Sequence, residues 1–206
     1  MVTDQSKPAP TMNKQSTALY DRLSFLYPLI DIILQPQKRH LFKVINNLPE
    51  GKLLEIGVGN GLHIKQYNKH LVTGIDTSAV MLKHARKNSP NNTELFLMNG
   101  EKLLFNNETF DYIVLSHVIA VVEHPEQLLH EVKRTLKPGG RVFILNHFTP
   151  DNWLRYMDRC VVPLAKIFQF KSVFRLKDLA TLKEFTLLNE IKVSHASYFK
   201  ILIYQK

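Results

Sequence analysis

The chain is short of several things a protein of its size can carry. Cys160 is its only cysteine. That excludes an intrachain disulfide and any metal site built on clustered thiolates, and it points to a reducing compartment. No metal is expected. The longest nearly apolar run, YIVLSHVIAVV, falls far below the roughly 20 residues a membrane-spanning helix needs. The opening MVTDQSKPAPTMNKQ lacks the apolar core of a secretory signal, so a cytoplasmic location is expected. There is neither an internal repeat nor a low-complexity segment. Acids are scarce as well: 18 Asp and Glu stand against 27 Lys and Arg, for a formal net charge of +9 over 206 residues. Residues 101–150 net −1, whereas 151–206 net +5. A basic excess of this kind calls for an anionic partner, whether acidic lipid, nucleic acid or an acidic substrate.

What is present is a globular pattern. Hydrophobic residues make up 45% of the chain, enough for one sizeable core. Residues 1–13 read as a loose tail and 14–206 as a single domain. Leu19, Leu23, Leu26, Ile30 and Ile33 form a helical stripe that Pro28 interrupts, and QKRHLFKVINNL predicts a further helix. An alternation then begins. KLLEI, LVTGID, ELFLM, FDYIVLS and RVFILNHF read as strands. LHIKQYN, residues 78–88 and PEQLLHEVKRTLK read as helices, and PGG as a turn. Strand and helix alternating at this spacing predict an α/β fold, a mostly parallel sheet with helices on both faces. Residues 151–179 read as a basic helical insertion, and TLLNEIKVSHASYFKILIYQK as two terminal strands joined near residues 195–197.

The first predicted strand runs into EIGVGNG, residues 55–61. A dinucleotide site needs G-x-G-x-x-G. Gly57 and Gly59 fit, but the third position is Leu62, and Gly61 arrives one residue early. Glu55 beside the loop would repel a pyrophosphate. It suits the ammonium and sulfonium of S-adenosylmethionine, which carries no phosphate, while the glycines let backbone approach closely and the next helix N-terminus favours a carboxylate. Asp76, 15 residues after Gly61, can accept hydrogen bonds from ribose hydroxyls. Asn99 and backbone N–H groups around Gly100 can read the adenine edge, with Met81 and Leu103 as apolar contacts. Thr77, Glu101 and Ser116 complete the candidate cofactor set. Each also has a plainer reading: Asp76, Thr77 or Ser78 as a helix N-cap, Glu101 as a solvated loop acid, Met81 and Leu103 as core.

The ordered set, with LKPGG before strand five, resembles the class I S-adenosylmethionine-dependent methyltransferases over residues 50–148. That resemblance implies a Rossmann-like sheet of seven strands, the last antiparallel, with the cofactor across the carboxyl ends of strands one to four. LYDRLSFLYPLID, LLEIGVGNGLHIKQY, VTGIDTSAVMLKHAR and VIAVVEHPEQLLHEVKRTLKPGGRVFILNHF are similar to one subgroup, the short bacterial phosphatidylethanolamine N-methyltransferases. Asn60 departs from the usual Thr, and Asn99-Gly100 from the usual Asp-Ala. The resemblance implies methylation of ethanolamine phospholipid to phosphatidylcholine, attachment to the inner face of the cytoplasmic membrane, and Tyr20 close to the cofactor. Tyr20, Tyr27, His117 and His147 are the candidates for orienting the amine or taking its proton, and a histidine at a strand end also serves as a structural hydrogen-bonder. A class I enzyme acting on a quinone or small amine stays open as an alternative.

Residues 153–168 bear on the lipid reading. On a helical wheel Arg155, Arg159 and Lys166 share one side, and Trp153, Met157, Val161, Leu164 and Phe168 the other. That suits a helix in a lipid interface facing anionic headgroups, and equally a core-packed cap with a solvated basic side; Pro163 kinks or ends it. Residues 14–48 read in the same two ways, as a lid or as a membrane contact. Arg175 joins the basic residues able to pair with a lipid phosphate. No basic run interleaves with aromatics, so nucleic acid is not an expected partner.

Overall fold

The computed structural model describes residues 38–147, 179–192 and 199–206. The expected tail and lid before residue 38 lie outside these residues. So do Tyr20, Tyr27, the whole 153–168 wheel and Arg175, and so does the side chain of His147. Among the described residues no helix is long and apolar enough to cross a membrane.

Helix α1 covers 38–46. It leads to β1 (Lys52–Ile56), a 3-10 turn (Ile64–Gln66), β2 (Leu71–Asp76), α2 (Ala79–Asn88), β3 (Glu94–Leu97) and β4 (Phe110–Ser116). Helix α3 (Pro125–Thr135), β5 (Leu136–His147), a second 3-10 turn (Thr181–Glu184), β6 (Thr186–Lys192) and β7 (Phe199–Gln205) follow. The seven strands form one sheet in the order β3-β2-β1-β4-β5-β7-β6. Neighbours from β3 to β5 pair in parallel, and β7 runs antiparallel to both β5 and β6. This is the seven-stranded Rossmann-like fold expected.

The sheet is apolar on both faces because helices cover both. Leu53, Val114, Phe143 and Ile203 face one layer, where α1 supplies Leu41, Phe42 and Ile45, the first turn Ile64 and Tyr67, and α2 Leu82. Leu54, Ile113, Ile144 and Leu202 face the other, filled by Leu128, Leu129 and Val132 of α3. Ser78 caps α2, its hydroxyl accepting from the Met81 amide at 3.2 Å, and Arg86 and Lys87 sit in the last turn, where the helix dipole favours cations. Pro125 and Glu126 open α3 and Lys133 and Arg134 close it.

Two expectations change. LHIKQYN makes only a single 3-10 turn, with no acid in its first turn and no side-chain cap. PGG is not a separate turn, because β5 already begins at Leu136, which pairs with Phe110, and the Gly139 amide donates to the Lys206 carbonyl. Gly139 takes φ +74° there.

Candidate active site

The carboxyl ends of β1, β2, β3, β4 and β5 lie along one edge of the sheet. At the β1 end Gly57, Gly59 and Gly61 all adopt left-handed φ, at +76°, +58° and +71°, which other residues reach only with strain. Their surroundings differ. A side chain on Gly57 would meet Val118 at 2.3 Å, and one on Gly61 would meet the Ala85 backbone of α2 at 2.8 Å. Above Gly59 nothing lies within 4 Å. The outer glycines therefore make room for protein, and the middle one leaves room for a ligand.

Asp76 ties this loop to β2. Its Oδ2 accepts from the Gly59 amide at 2.8 Å and its Oδ1 from the Ser78 amide at 2.9 Å. Both oxygens are acceptors, the kind of group a ribose hydroxyl needs. Thr77 beside it is exposed, and the helix cap is Ser78 rather than either neighbour. Asn60 holds the loop too: its side chain accepts from the Leu62 amide at 3.2 Å, and its carbonyl takes a bond from Asn88 at 2.8 Å.

Glu55 is only 1% exposed. It points under the loop, where Oε1 lies 2.7 Å from Nε2 of His63. Phe42 stacks on the His63 ring at 6.0 Å. The Tyr67 hydroxyl faces the same carboxylate without closing a hydrogen bond of standard geometry. Burial first, then the Glu55 charge, hold its phenol protonated well above the ordinary range. Oε2 of Glu55 has no hydrogen-bond partner. A buried anionic group with one unmet acceptor, under a loop with an open centre, fits a cofactor that carries positive charge and no phosphate. His63 and Tyr67 were missing from the sequence-based set, although their spacing of four just after the glycine loop was legible.

At the β3 end Asn99 turns its Oδ1 to the Glu101 amide at 2.9 Å, an Asx turn that shapes the loop. Glu101 is not the solvated acid its plainer reading gave. It is 9% exposed and accepts from the His124 amide at 2.9 Å, at the start of α3. The next stretch is clamped by α3: Glu131 accepts from the Leu103 amide, and Arg134 donates to the carbonyls of Leu103 and Phe105. Hydrogen bonds from Arg134 hold the Glu131 carboxyl below the usual carboxylate range against a partly opposing burial. Gly100 packs between Ile56 and Leu128, which a side chain there would meet at 2.7 and 2.9 Å. Leu103 belongs to the core. Met81 is 4% exposed and belongs to neither core cluster.

The ends of β4 and β5 are different. Ser116 and Asn146 are 9% and 4% exposed, and Oγ of Ser116 and Nδ2 of Asn146 have no hydrogen-bond partner. Strand alternation turns Ser116 toward the α1–α2 side and Asn146 toward the α3 side, so they flank the edge from both faces. His117 follows with φ +61°, a strained position of the kind that clusters at functional sites. Its amide donates to the Leu145 carbonyl at 2.8 Å, and its ring meets Phe199 edge-on at 5.6 Å. Asn146 was overlooked in NHF because the adjacent His147 carried the more obvious chemistry. For His147 the structure describes only the backbone, paired with Phe199.

Comparison with known proteins agrees with this geometry. A methyltransferase domain model matches residues 54–144. The phosphatidylethanolamine N-methyltransferase of Cereibacter sphaeroides is 30% identical over 167 residues, covering 78% of this chain and 82% of that one. A ubiquinone/menaquinone biosynthesis C-methyltransferase of Geotalea daltonii is 28% identical, covering 64% and 63%. Among solved structures, the N-methyltransferase NodS of Bradyrhizobium japonicum, in complex with S-adenosylhomocysteine, superposes with a TM-score of 0.67 at 14% identity, over 84% of this chain and 86% of that one. At that identity the likeness concerns the fold. The domain match, the relative spanning four-fifths of its own length and the glycine-loop edge together place the chain among the class I S-adenosylmethionine-dependent methyltransferases, to which it belongs.

Proposed function

We propose that the chain methylates the amine of an ethanolamine phospholipid, and in turn the mono- and dimethylated products. The observation that carries this reading is the relationship to a phosphatidylethanolamine N-methyltransferase over 82% of that enzyme's length. The polar, unsatisfied ends of β4 and β5 support it, since they offer hydrogen bonds to a polar head group and not to a plain hydrocarbon.

The bound cofactor supplies an electrophilic methyl group. In the proposed site Asp76 holds the ribose, Asn99 and the backbone at Gly100 the adenine, and Glu55 lends negative charge beneath the loop. The acceptor would be the neutral amine, whose lone pair would take the methyl group that the bound cofactor would supply, the cofactor's sulfonium becoming a neutral thioether. Catalysis is then chiefly alignment and exclusion of water. Asn146 and Ser116 orient the head group. His117, or water it holds, takes the proton that the ammonium must lose before each attack. Tyr20 is proposed as a further orienting group.

The test is a choice of acceptor. The protein with S-adenosylmethionine is given phosphatidylethanolamine and demethylmenaquinone in the same neutral micelles, and both products are weighed by mass spectrometry. Addition of one, two and three methyl groups to the lipid is expected. Addition to the quinone alone would move the assignment to the alternative acceptor.

A further inference from the structure

The layer formed by α1, the turn after the glycine loop and α2 carries a charge pattern found on no other layer described. Residues 38–47, 61–70 and 78–90 contain no Asp or Glu. Arg39 and Lys43 on α1, Lys65 and Lys69 around the turn, and Lys83, Arg86 and Lys87 on α2 are all exposed. None has an ion-pair partner among the described residues. The three elements bury their apolar sides in one common core through Phe42, Ile64, Tyr67 and Leu82, so their outer sides make one continuous face. On the opposite layer acids stand among the cations and pair with some of them, Lys133 with Glu184 and Arg134 with Glu131. The basic face ends, beside the glycine loop, in two exposed apolar side chains: Leu62 at 40% and Val80 at 39%.

We propose that this face docks the protein on an anionic lipid surface, with Leu62 and Val80 entering the head-group boundary. The choice of a membrane as occupant rests on the lipid reading of the acceptor. Uncompensated like charges repel one another in water, and a surface of opposite sign removes that repulsion. The apolar rim favours a bilayer over a nucleic acid. So does the lack of any exposed aromatic here for bases to stack on, since Phe42 and Tyr67 are buried. Leu62 follows the β1 end and Val80 follows the β2 end, so the rim lies on the cofactor edge of the sheet. Docking by this face brings that edge to the bilayer, where a lipid amine is presented.

The experiment is sedimentation of the full chain with vesicles of phosphatidylcholine, with and without phosphatidylglycerol. Neither lipid is an acceptor. The wild type is expected to bind the anionic vesicles and to release as salt rises. Each charge near such a surface changes partitioning about fivefold, so the combined K83Q, R86Q and K87Q variant is expected to lose on the order of a hundredfold. The combined K102Q, K183Q and K192Q variant removes the same charge at exposed positions elsewhere and is expected to bind nearly as the wild type does. Equal losses in the two variants would show that only net charge matters and would overturn the proposal. So would a failure of the wild type to bind, or binding to duplex DNA in place of vesicles. Methylation of phosphatidylethanolamine in neutral micelles is read in parallel. If it persists without vesicle binding, the docking face is wrong and the acceptor is right. Vesicle binding through α2 without lipid methylation confirms the face and refutes the acceptor.

Discussion

The loops along the two halves of the sheet's carboxyl edge satisfy their polar groups to different extents. Around β1, β2 and β3, Asp76 bonds two amides, Asn99 shapes its own turn, Glu101 holds the His124 amide just before α3, and Arg134 with Glu131 clamps the loop beyond; only beneath the loop does Glu55 Oε2 stay unmet. Around β4 and β5, Ser116 Oγ and Asn146 Nδ2 are buried and bond to nothing. A buried polar group without a partner costs about 1–3 kcal/mol. Such a cost persists where something that binds there removes it. In the proposed site the loops of the donor half are tied down in advance, with the Glu55 carboxylate beneath them still offering one unmet acceptor, while the rim of the acceptor half itself is left unpartnered.

The largest expected effect comes from breaking the donor half. Asp76→Ala unties the Gly59 amide and removes the proposed ribose acceptor, two charge-assisted hydrogen bonds or more. Titration calorimetry should show about a hundredfold weaker S-adenosylmethionine binding. Unchanged affinity would mean that Asp76 only holds the loop.

The glycines divide the loop more finely. Gly61→Ala drives a side chain into the α2 backbone as well as straining φ, and should cost about 3 kcal/mol of folding stability. Gly59→Ala strains φ alone, at about 1 kcal/mol, yet fills the open space above the loop and should weaken cofactor binding at least tenfold while melting only slightly earlier. Equal melting losses would contradict the division between packing and ligand room.

In the acceptor half, Asn146→Leu removes the unsatisfied amide. The melting temperature should hold or rise, because an unmet buried group is gone, while kcat/KM for the lipid falls about tenfold through lost positioning. A variant that melts earlier and acts normally would make Asn146 a structural residue.

The smallest effect concerns the segment that resumes at residue 179. Glu126 accepts from the Ala180 and Thr181 amides and the Thr181 hydroxyl. The Thr181 hydroxyl first, then the two amides, hold its carboxyl below the ordinary carboxylate range. A depressed carboxyl adds stability above its unfolded value, and that stability is lost as pH falls through the folded value. The melting-temperature gap between wild type and Glu126→Gln should therefore be open near neutrality and close under acid. A gap that widens on acidification would reverse the sign.

The same division governs what the sequence made legible. The strands showed because both sheet faces are covered, which gives unbroken apolar runs such as FDYIVLS, matched by β4 at Phe110–Ser116. The candidate donor residues sit within one loop or at a strand end, so spacing alone was enough to single out Gly59, Asp76 and Asn99 as candidates. Reading their environments was harder. Glu55 faces His63 because β1 alternation turns it into the layer below, which a linear motif does not convey. The acceptor half draws Ser116, His117, Asn146 and Phe199 from three strands brought together only by sheet order. Nothing in the local pattern distinguished Asn146 from its neighbour His147.

The central claim, a donor half that binds independently of an acceptor half awaiting substrate, is tested most directly by titrating S-adenosylhomocysteine into Asn146→Leu. The account predicts a Kd within about twofold of the wild type, since no donor contact is touched. A loss as large as that of Asp76→Ala would show that the two halves form one binding site and would contradict it.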